Sequence, residues 1–359
     1  MKAKASIFLM IAGLLVSSCI RQGAKQEDLA DFEQVASSPH QWTGITVTGK
    51  GKIFVNFPRW SEDIPMSVGL LNEDQQPEPF PGEKWNRWEK GQEPGEHFIC
   101  VQSVVVDGRN RLWVLDPANP RFQGVVPGGA KLVAFDPQSG KLLQKIRFDS
   151  SVVRSNSYLN DVRVDTAQGY AYITDSNDGA IVVVDLSSGR SRRLLDDHYS
   201  TEPELPLVIH VQPWLTASGD PNFVASDGIA LDRQNKYLYY HALSGLSLYR
   251  IETRYLRDTS LSQKERASKV EFVARTVSSD GMITGADNSI YHSDVENSAI
   301  VRYRPDGTTQ LVAQSSSFKW PDTFSFGPDG NLYFTTSQIH IANPQEPYKI
   351  FKVELNMDN

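Results

Sequence analysis

The sequence predicts an all-β chain folded as a six-bladed β-propeller with four-stranded blades. Two observations predict it. A hairpin pattern recurs six times along the 359 residues, and each copy is followed by a third and fourth strand-like run. A third observation agrees: helical 3.6-residue periodicity is scarce throughout.

The first hairpins begin at Trp42 (WTGITVTGKGKIFVNF), Val101 (VQSVVVDGRNRLWVLD) and Leu159 (LNDVRVDTAQGYAYITD). The others begin at Ser226 (SDGIALDRQNKYLYYHA), Ser279 (SDGMITGADNSIYHSD) and Pro321 (PDTFSFGPDGNLYFTT). Each has a polar mouth, alternating apolar residues, a Gly/Asn/Asp-rich turn, and a strand of β-branched and aromatic residues. Third strands follow in MSVGLLNED, KLVAFDPQSGK, AIVVVDLSSGR, LSLYRIETR, AIVRYRPDGT and YKIFKVEL. Fourth strands read in LLQKIRF, RSRRLL, VEFVAR and TQLVAQ. One blade cannot bury both of its faces, so six such units stack in a ring. The starts lie 42 to 67 residues apart, which leaves long insertions at Asn72 to Phe98, Asp196 to Phe223 and Glu252 to Lys269. Loops of that length usually serve a functional rim.

Before the ring stands a targeting segment. Lys2 and Lys4 precede the apolar run Ile7 to Val16, too short to span a bilayer. It ends in Val16-Ser17-Ser18-Cys19, which resembles a bacterial lipoprotein processing box. The resemblance implies cleavage before Cys19 and lipidation of its sulfur; an ordinary signal peptide with an incidental Cys is the alternative. Ile20, in place of Asp, favours the outer membrane. The expected organisation is a signal peptide over 1–18, a polar tether over 19–40 and the propeller over 41–359. Cys100 is then the only other cysteine, so no internal disulfide is expected, and its apolar neighbours make it a buried hydrophobe. The net charge of -7, with no basic block, argues against nucleic acid. The reading expects a monomer that touches membrane only through a lipid anchor and whose partner is a small molecule.

The strand mouths carry the chemistry. In a propeller the first strand of each blade lines the central channel. Aligned back from their turns, the six mouths place Thr43, Gln102, Asn160, Asp227, Asp280 and Asp322 at one position. Three carboxylates facing one another need a counter-charge. Oxygen-only donors, with no His or Cys in the ring, favour Ca2+ or another hard divalent cation. The alternative is that each Asp caps its own strand mouth through a local turn. Trp85, Trp88, Trp214 and Trp320 flank insertions or mouths and are candidates for an aromatic wall. His97, His198 and His210 are scattered rim candidates, each read first as hydrogen-bonded surface.

Phe57-Pro58-Arg59-Trp60, RLWVLD (Arg111 to Asp116), LNDVRVD with AYITDS, SDGIALD with LYYHAL, and WPDTFSF with NLYFTTSQI resemble the major royal jelly/Yellow family. The resemblance runs from about Thr43 to Phe351 in the family's order and implies a six-bladed propeller. It also implies a range of functions: dopachrome conversion, binding of biogenic amines in the central channel, or storage and structural roles. A second, weaker resemblance is to gluconolactonase and senescence-marker-type propellers, which hold a divalent metal at the strand mouths. Asn160, Asp227 and Asp280 match three of those ligands, while Thr43 stands where a Glu is expected, with Asp322 as a compensating candidate. The first resemblance thus implies a channel that binds an aromatic or amine-like ligand and, if the protein is an enzyme, isomerisation of an oxidised aromatic as its reaction. The alternatives are a metal-dependent lactonase and a non-catalytic surface lipoprotein that binds a partner.

Overall fold

The computed structural model describes residues 29–355. Residues 1–28, with the signal peptide and Cys19, lie outside the described residues. Six antiparallel four-stranded sheets form a ring, with few helices. The innermost strands are Ile45–Val47, Ser103–Val106, Leu159–Asp165, Ser226–Leu231, Ser279–Thr284 and Pro321–Phe326. Each blade then meanders outward through neighbours in sequence, as hairpins joined by short polar turns do.

Blade six is the exception, and it corrects the tether's expected boundary. Its outermost strand is Phe32–Ser38, which pairs antiparallel with Tyr348–Val353, from Phe32↔Val353 to Ser38↔Tyr348. The segment read as tether to residue 40 therefore closes the ring. Its FEQVASS sequence hid this because an edge strand buries one face only, and here Phe32 and Glu33 are exposed while Ala36 and Ser38 are buried. Joining the two ends of the chain in one blade resists opening of the ring.

The apolar faces of neighbouring blades make the core. Trp113, Leu115, Val162 and Ile173 fill the layer between blades two and three. Tyr172, Ile181, Ile229 and Tyr240 fill the next. Tyr291, Ile300, Phe324 and Phe334 do the same between blades five and six. Among the described residues the long insertions hold the α-helices, at Glu83–Asn86, Thr253–Arg257 and Gln263–Ala267. The Asp196 to Phe223 insertion instead forms a small hairpin, Val208–Ile209 with Gln212–Pro213, over one end of the ring.

Candidate functional site

Four of the six strand mouths share a backbone irregularity. The inner hairpins slip register between Leu159 and Val162, Ser226 and Ile229, Ser279 and Met282, and Pro321 and Phe324. Those slips fall on Asn160, Asp227, Asp280 and Asp322. A bulge re-aims the side chain that it displaces, so the mouths depart from the strand's alternation where the polar residue sits.

The Asp-Gly pairs are explained by close approach rather than by turn geometry. Neither Gly228 nor Gly281 adopts a positive φ. A Cβ on Gly281 would stand 2.0 Å from the carbonyl oxygen of Asp322, and one on Gly228 would stand 3.0 Å from that of Asp280. Each glycine makes room for the mouth of the next blade, which draws the polar residues together.

Second-strand side chains then tie each blade to its neighbour. Asn56 Nδ2 donates to Val101 O at 3.1 Å, Thr174 Oγ1 donates to Asp227 O at 2.7 Å, and Thr335 Oγ1 donates to Thr43 O. Within a blade, the Asp that ends the second strand pins the mouth of the first. Asp116 accepts from the amides of Ile99 and Cys100, and Asp175 accepts from that of Tyr158.

The result is a cavity of about 340 Å3 at one end of the channel. Gln102, Asn160, Asp227 and Asp280 border it, as the alignment of mouths predicts. Thr43 and Asp322 are not among its lining residues. Thr43 is fully buried and accepts from Asn56 Nδ2 at 2.9 Å. Asp322 is buried beside Thr323, which donates to it at 3.1 Å; its Oδ2 makes no hydrogen bond of normal geometry, with the Ser337 hydroxyl beside it. In blade six Trp320, not Asp322, reaches the cavity.

The polar floor is a connected chain. Asn160 Nδ2 donates to Asp227 Oδ1, and Trp320 Nε1 donates to Asp280 Oδ2 at 2.5 Å. Asp227 and Asp280 act on each other's carboxyl, and the contact raises Asp227 and lowers Asp280. Burial, then the charges of Asp280, Asp161 and Asp322, hold the Asp227 carboxyl well above the usual carboxylate range. Burial raises Asp280 as well, to about 7, while the Trp320 indole limits the rise. Two neighbouring buried carboxyls resist ionising together, which favours one shared proton between them near neutrality. Further along the same strand, Arg163 donates to Met282 O at 2.7 Å across the ring and lies 3.3 Å from Asp161 Oδ2.

Aromatic rings form the walls. Phe122 packs on Tyr158 with centroids 4.8 Å apart and on Trp60 at 5.6 Å. Tyr158 donates to Gln102 Oε1 at 2.9 Å and accepts from Trp60 Nε1 at 2.6 Å. On another side Trp214 meets Trp320 edge-on at 4.9 Å. Of the four tryptophans proposed for a wall, Trp214 and Trp320 line the cavity and Trp85 and Trp88 do not. Trp85 packs on Phe98 and Phe135, and Trp88 on the core between blades two and three. Trp60, Phe122, Tyr158 and Phe223 were not singled out as wall residues. The signals were present: Trp60 closes the Phe-Pro-Arg-Trp motif, and Tyr158 stands two residues before Asn160. His97, His198 and His210 are absent from the lining and are hydrogen-bonded by Lys84 O, Ser200 Oγ and Ser298 Oγ. Among the described residues no group of three or more His, Cys, Asp or Glu is arranged to hold a metal ion.

Comparisons with known proteins agree with this architecture. Among solved structures, regucalcin from Agrobacterium tumefaciens superposes with a TM-score of 0.56 at 15% identity, covering 90% of this chain and 95% of its own. A gluconolactonase from Xanthomonas campestris gives 0.56 at 10% identity, covering 90% of each chain. At such identities the likeness concerns the fold alone. By sequence, the chain is 25% identical over 171 residues to dopaminechrome tautomerase of Drosophila melanogaster, covering 42% of this chain and 35% of that protein. It is 24% identical over 266 residues to the Yellow-related salivary protein M10 of Phlebotomus duboscqi, covering 65% and 63%. It is 22% identical over 321 residues to major royal jelly protein 7 of Apis mellifera, covering 82% and 67%. The chain thus spans from about a third to two-thirds of the length of these relatives. The family model for major royal jelly protein matches residues 99–347, over half of the sequence: blades two to five and the two inner strands of blade six. The chain belongs to the major royal jelly protein family.

Proposed function

We propose that the cavity takes a flat aromatic ligand with an ammonium or proton-exchanging end, and that Asp227 and Asp280 handle that end. One observation carries this reading: aromatic walls converge on two buried carboxyls, Asp227 and Asp280, whose burial favours one shared proton. Aromatic faces stack on flat rings and attract cations. An ionised carboxylate takes a proton while its protonated partner gives one, the two halves of a tautomerisation. The likeness to a dopaminechrome tautomerase supports isomerisation of an oxidised aromatic as the reaction.

Titrating 2-phenylethylamine, serotonin and dopaminechrome into the chain from Arg21 onward tests this by tryptophan fluorescence and thermal shift. Dopaminechrome conversion is followed by its visible absorbance. The amines are expected to stabilise the fold by about 2.7 kcal/mol at a hundredfold excess over Kd. Asp280→Asn keeps an acceptor for the Trp320 indole but removes the charge, and is expected to weaken amine binding at least tenfold. Failure of all three compounds to bind or react would end the reading.

A divalent cation at the mouths is a second reading, favoured by the charges of Asp280 and Asp161, which act on the buried Asp322 carboxyl. Asn160, Asp227 and Asp280 would hold it, and the ion would polarise a carbonyl such as a lactone's. In the structure these groups satisfy one another, so an ion must displace the shared proton and turn the Asn160 amide. A rise in melting temperature with CaCl2 that Asp227→Ala abolishes would favour this reading.

We also propose that the chain is exported and anchored to the cell envelope through a lipid on Cys19, as the segment before it suggests. Cys19→Ser is expected to abolish labelling by palmitate and to move the protein out of the membrane fraction. Unchanged labelling and fractionation would overturn the anchor.

A further inference from the structure

We infer that the ligand is longer than the cavity: an amphipathic amine whose charged end meets Asp227 and Asp280 and whose apolar part leaves across Phe122 and Phe223. The inference rests on the ligand class proposed above and specifies its shape.

The mouth of the cavity is aromatic and uncovered. Phe122 and Phe223 both border it, yet they are 58% and 51% exposed. The insertion that carries Phe223 also exposes Tyr199, Leu205, Val208, Val211 and Leu215. Two exposed aromatic rings that border one cavity mark a binding surface more than singly scattered apolar residues do. A ligand that fits wholly inside would leave both phenylalanine rings in water.

The backbone holds Phe122 there against its own preference. Arg121 and Phe122 have φ of 56° and 54°, a left-handed conformation that costs roughly 1 kcal/mol or more for such residues. The surroundings enforce it. Arg121 N donates to Arg59 O at 2.9 Å, its guanidinium pairs with Glu62, and Asn119 Nδ2 donates to Ser157 O at 3.1 Å. Asn119 Oδ1 also accepts from Gly124 N at 2.8 Å. A loop fixed from both sides keeps a half-exposed ring stacked on Tyr158 and Trp60. On the other insertion, Asn222 N donates to Trp214 O at 3.0 Å and Val224 N to Ser244 Oγ at 2.9 Å, which fixes the backbone on either side of Phe223. Both rings are thus presented by anchored segments. The floor supplies negative charge, so the end that enters is cationic and the part that leaves is apolar.

A series of 2-phenylethylamines with para-alkyl chains from methyl to hexyl tests this by titration calorimetry. The wild-type Kd is expected to fall about two- to fourfold for each of the first few methylenes, as apolar surface is covered at the mouth. The readout is the slope against chain length, not the absolute affinity. Phe122→Ser/Phe223→Ser is expected to flatten the slope, and Phe122→Leu, which keeps an apolar side chain, to preserve it. Short amines that bind while longer ones bind no better would overturn this inference alone. A series in which no member binds would overturn it together with the proposed ligand class.

Discussion

Asp116→Ala is expected to destabilise the propeller by about 3–5 kcal/mol, the largest effect of any single replacement discussed. The reason is the number of groups that it would strand. Asp116 and Lys131 form an ion pair of 2.7 Å with both side chains fully buried. The carboxylate also accepts from the amides of Ile99 at 2.8 Å and of Cys100 and Ala118 at 2.9 Å. Without it, three buried N–H groups lose their acceptor. The Lys131 ammonium would keep only the carbonyls of Pro94 and Gly129, at 3.1 and 2.9 Å. Removing one partner of a buried pair costs far more than the pair is worth against an apolar replacement of both. For a chain of this size the loss corresponds to roughly 5–8 °C in melting temperature. Asp116→Ala/Lys131→Met, which removes the buried charge as well, is expected to recover part of it. Scanning calorimetry on the three proteins decides the matter, and a shift under 1 °C for Asp116→Ala would show that the pair does not hold blade two. A functional consequence follows, because the same carboxylate fixes the backbone that leads into Gln102.

The architecture was legible because its signal is repeated. Six hairpins with the same polar mouth align without gaps in their logic, so the ring, the third and fourth strands and the convergence of Gln102, Asn160, Asp227 and Asp280 all follow. What was not legible depends on geometry that a one-dimensional pattern does not carry. The strand Phe32–Ser38 pairs with residues over three hundred positions away, and its composition is that of an edge. The roles of Gly228 and Gly281 were not legible, because close approach of a neighbouring blade leaves no mark in the local sequence. Trp60, Phe122 and Phe223 come from three separate loops and meet only around the closed ring. Asp322 shows the limit of the alignment itself. It occupies the equivalent position, but Trp320, at a φ of 59°, stands at the cavity in its place. Equivalent positions in a repeat share a backbone environment, and the neighbours that cover them decide the rest.

Above about pH 6.5 the metal-free protein is expected to lose stability as pH rises, and Asp227→Asn is expected to reduce that loss. The sign follows from the direction of each shift. Burial and neighbouring carboxylates raise Asp227 and Asp322 well above their ordinary value of 3.8 and Asp280 to about 7. Such a group binds its proton more tightly in the folded state. Its stabilising contribution is present below pH 3.8 and is lost as pH rises through the folded value. Two buried imidazoles between blades four and five work in the opposite sense. His241 and His292 lie with ring centroids 6.0 Å apart, and burial lowers them to about 4 and about 3. Their contribution is present above pH 6.5 and is lost as pH falls through those values. Between pH 4 and 6.5 the two sets oppose each other, so the net dependence there is shallow. Above 6.5 the histidines are neutral in both folded and unfolded chains, and the carboxyls act alone. Each group still protonated only in the fold then costs about 1.4 kcal/mol per pH unit. Asp227→Asn imitates the protonated side chain, accepts from Asn160 and donates to Asp280, without a proton to lose. It is expected to be more stable than the wild type at pH 8.5 and no more stable at pH 5. Melting curves in EDTA across pH 5 to 8.5 check this, and a flat or rising wild-type profile above 6.5 would show that the carboxyls do not share a proton. Repeating the series with CaCl2 separates the two readings of the site. A bound cation stabilises the ionised carboxylates and would remove the fall, whereas a proton-sharing pair that binds no ion keeps it.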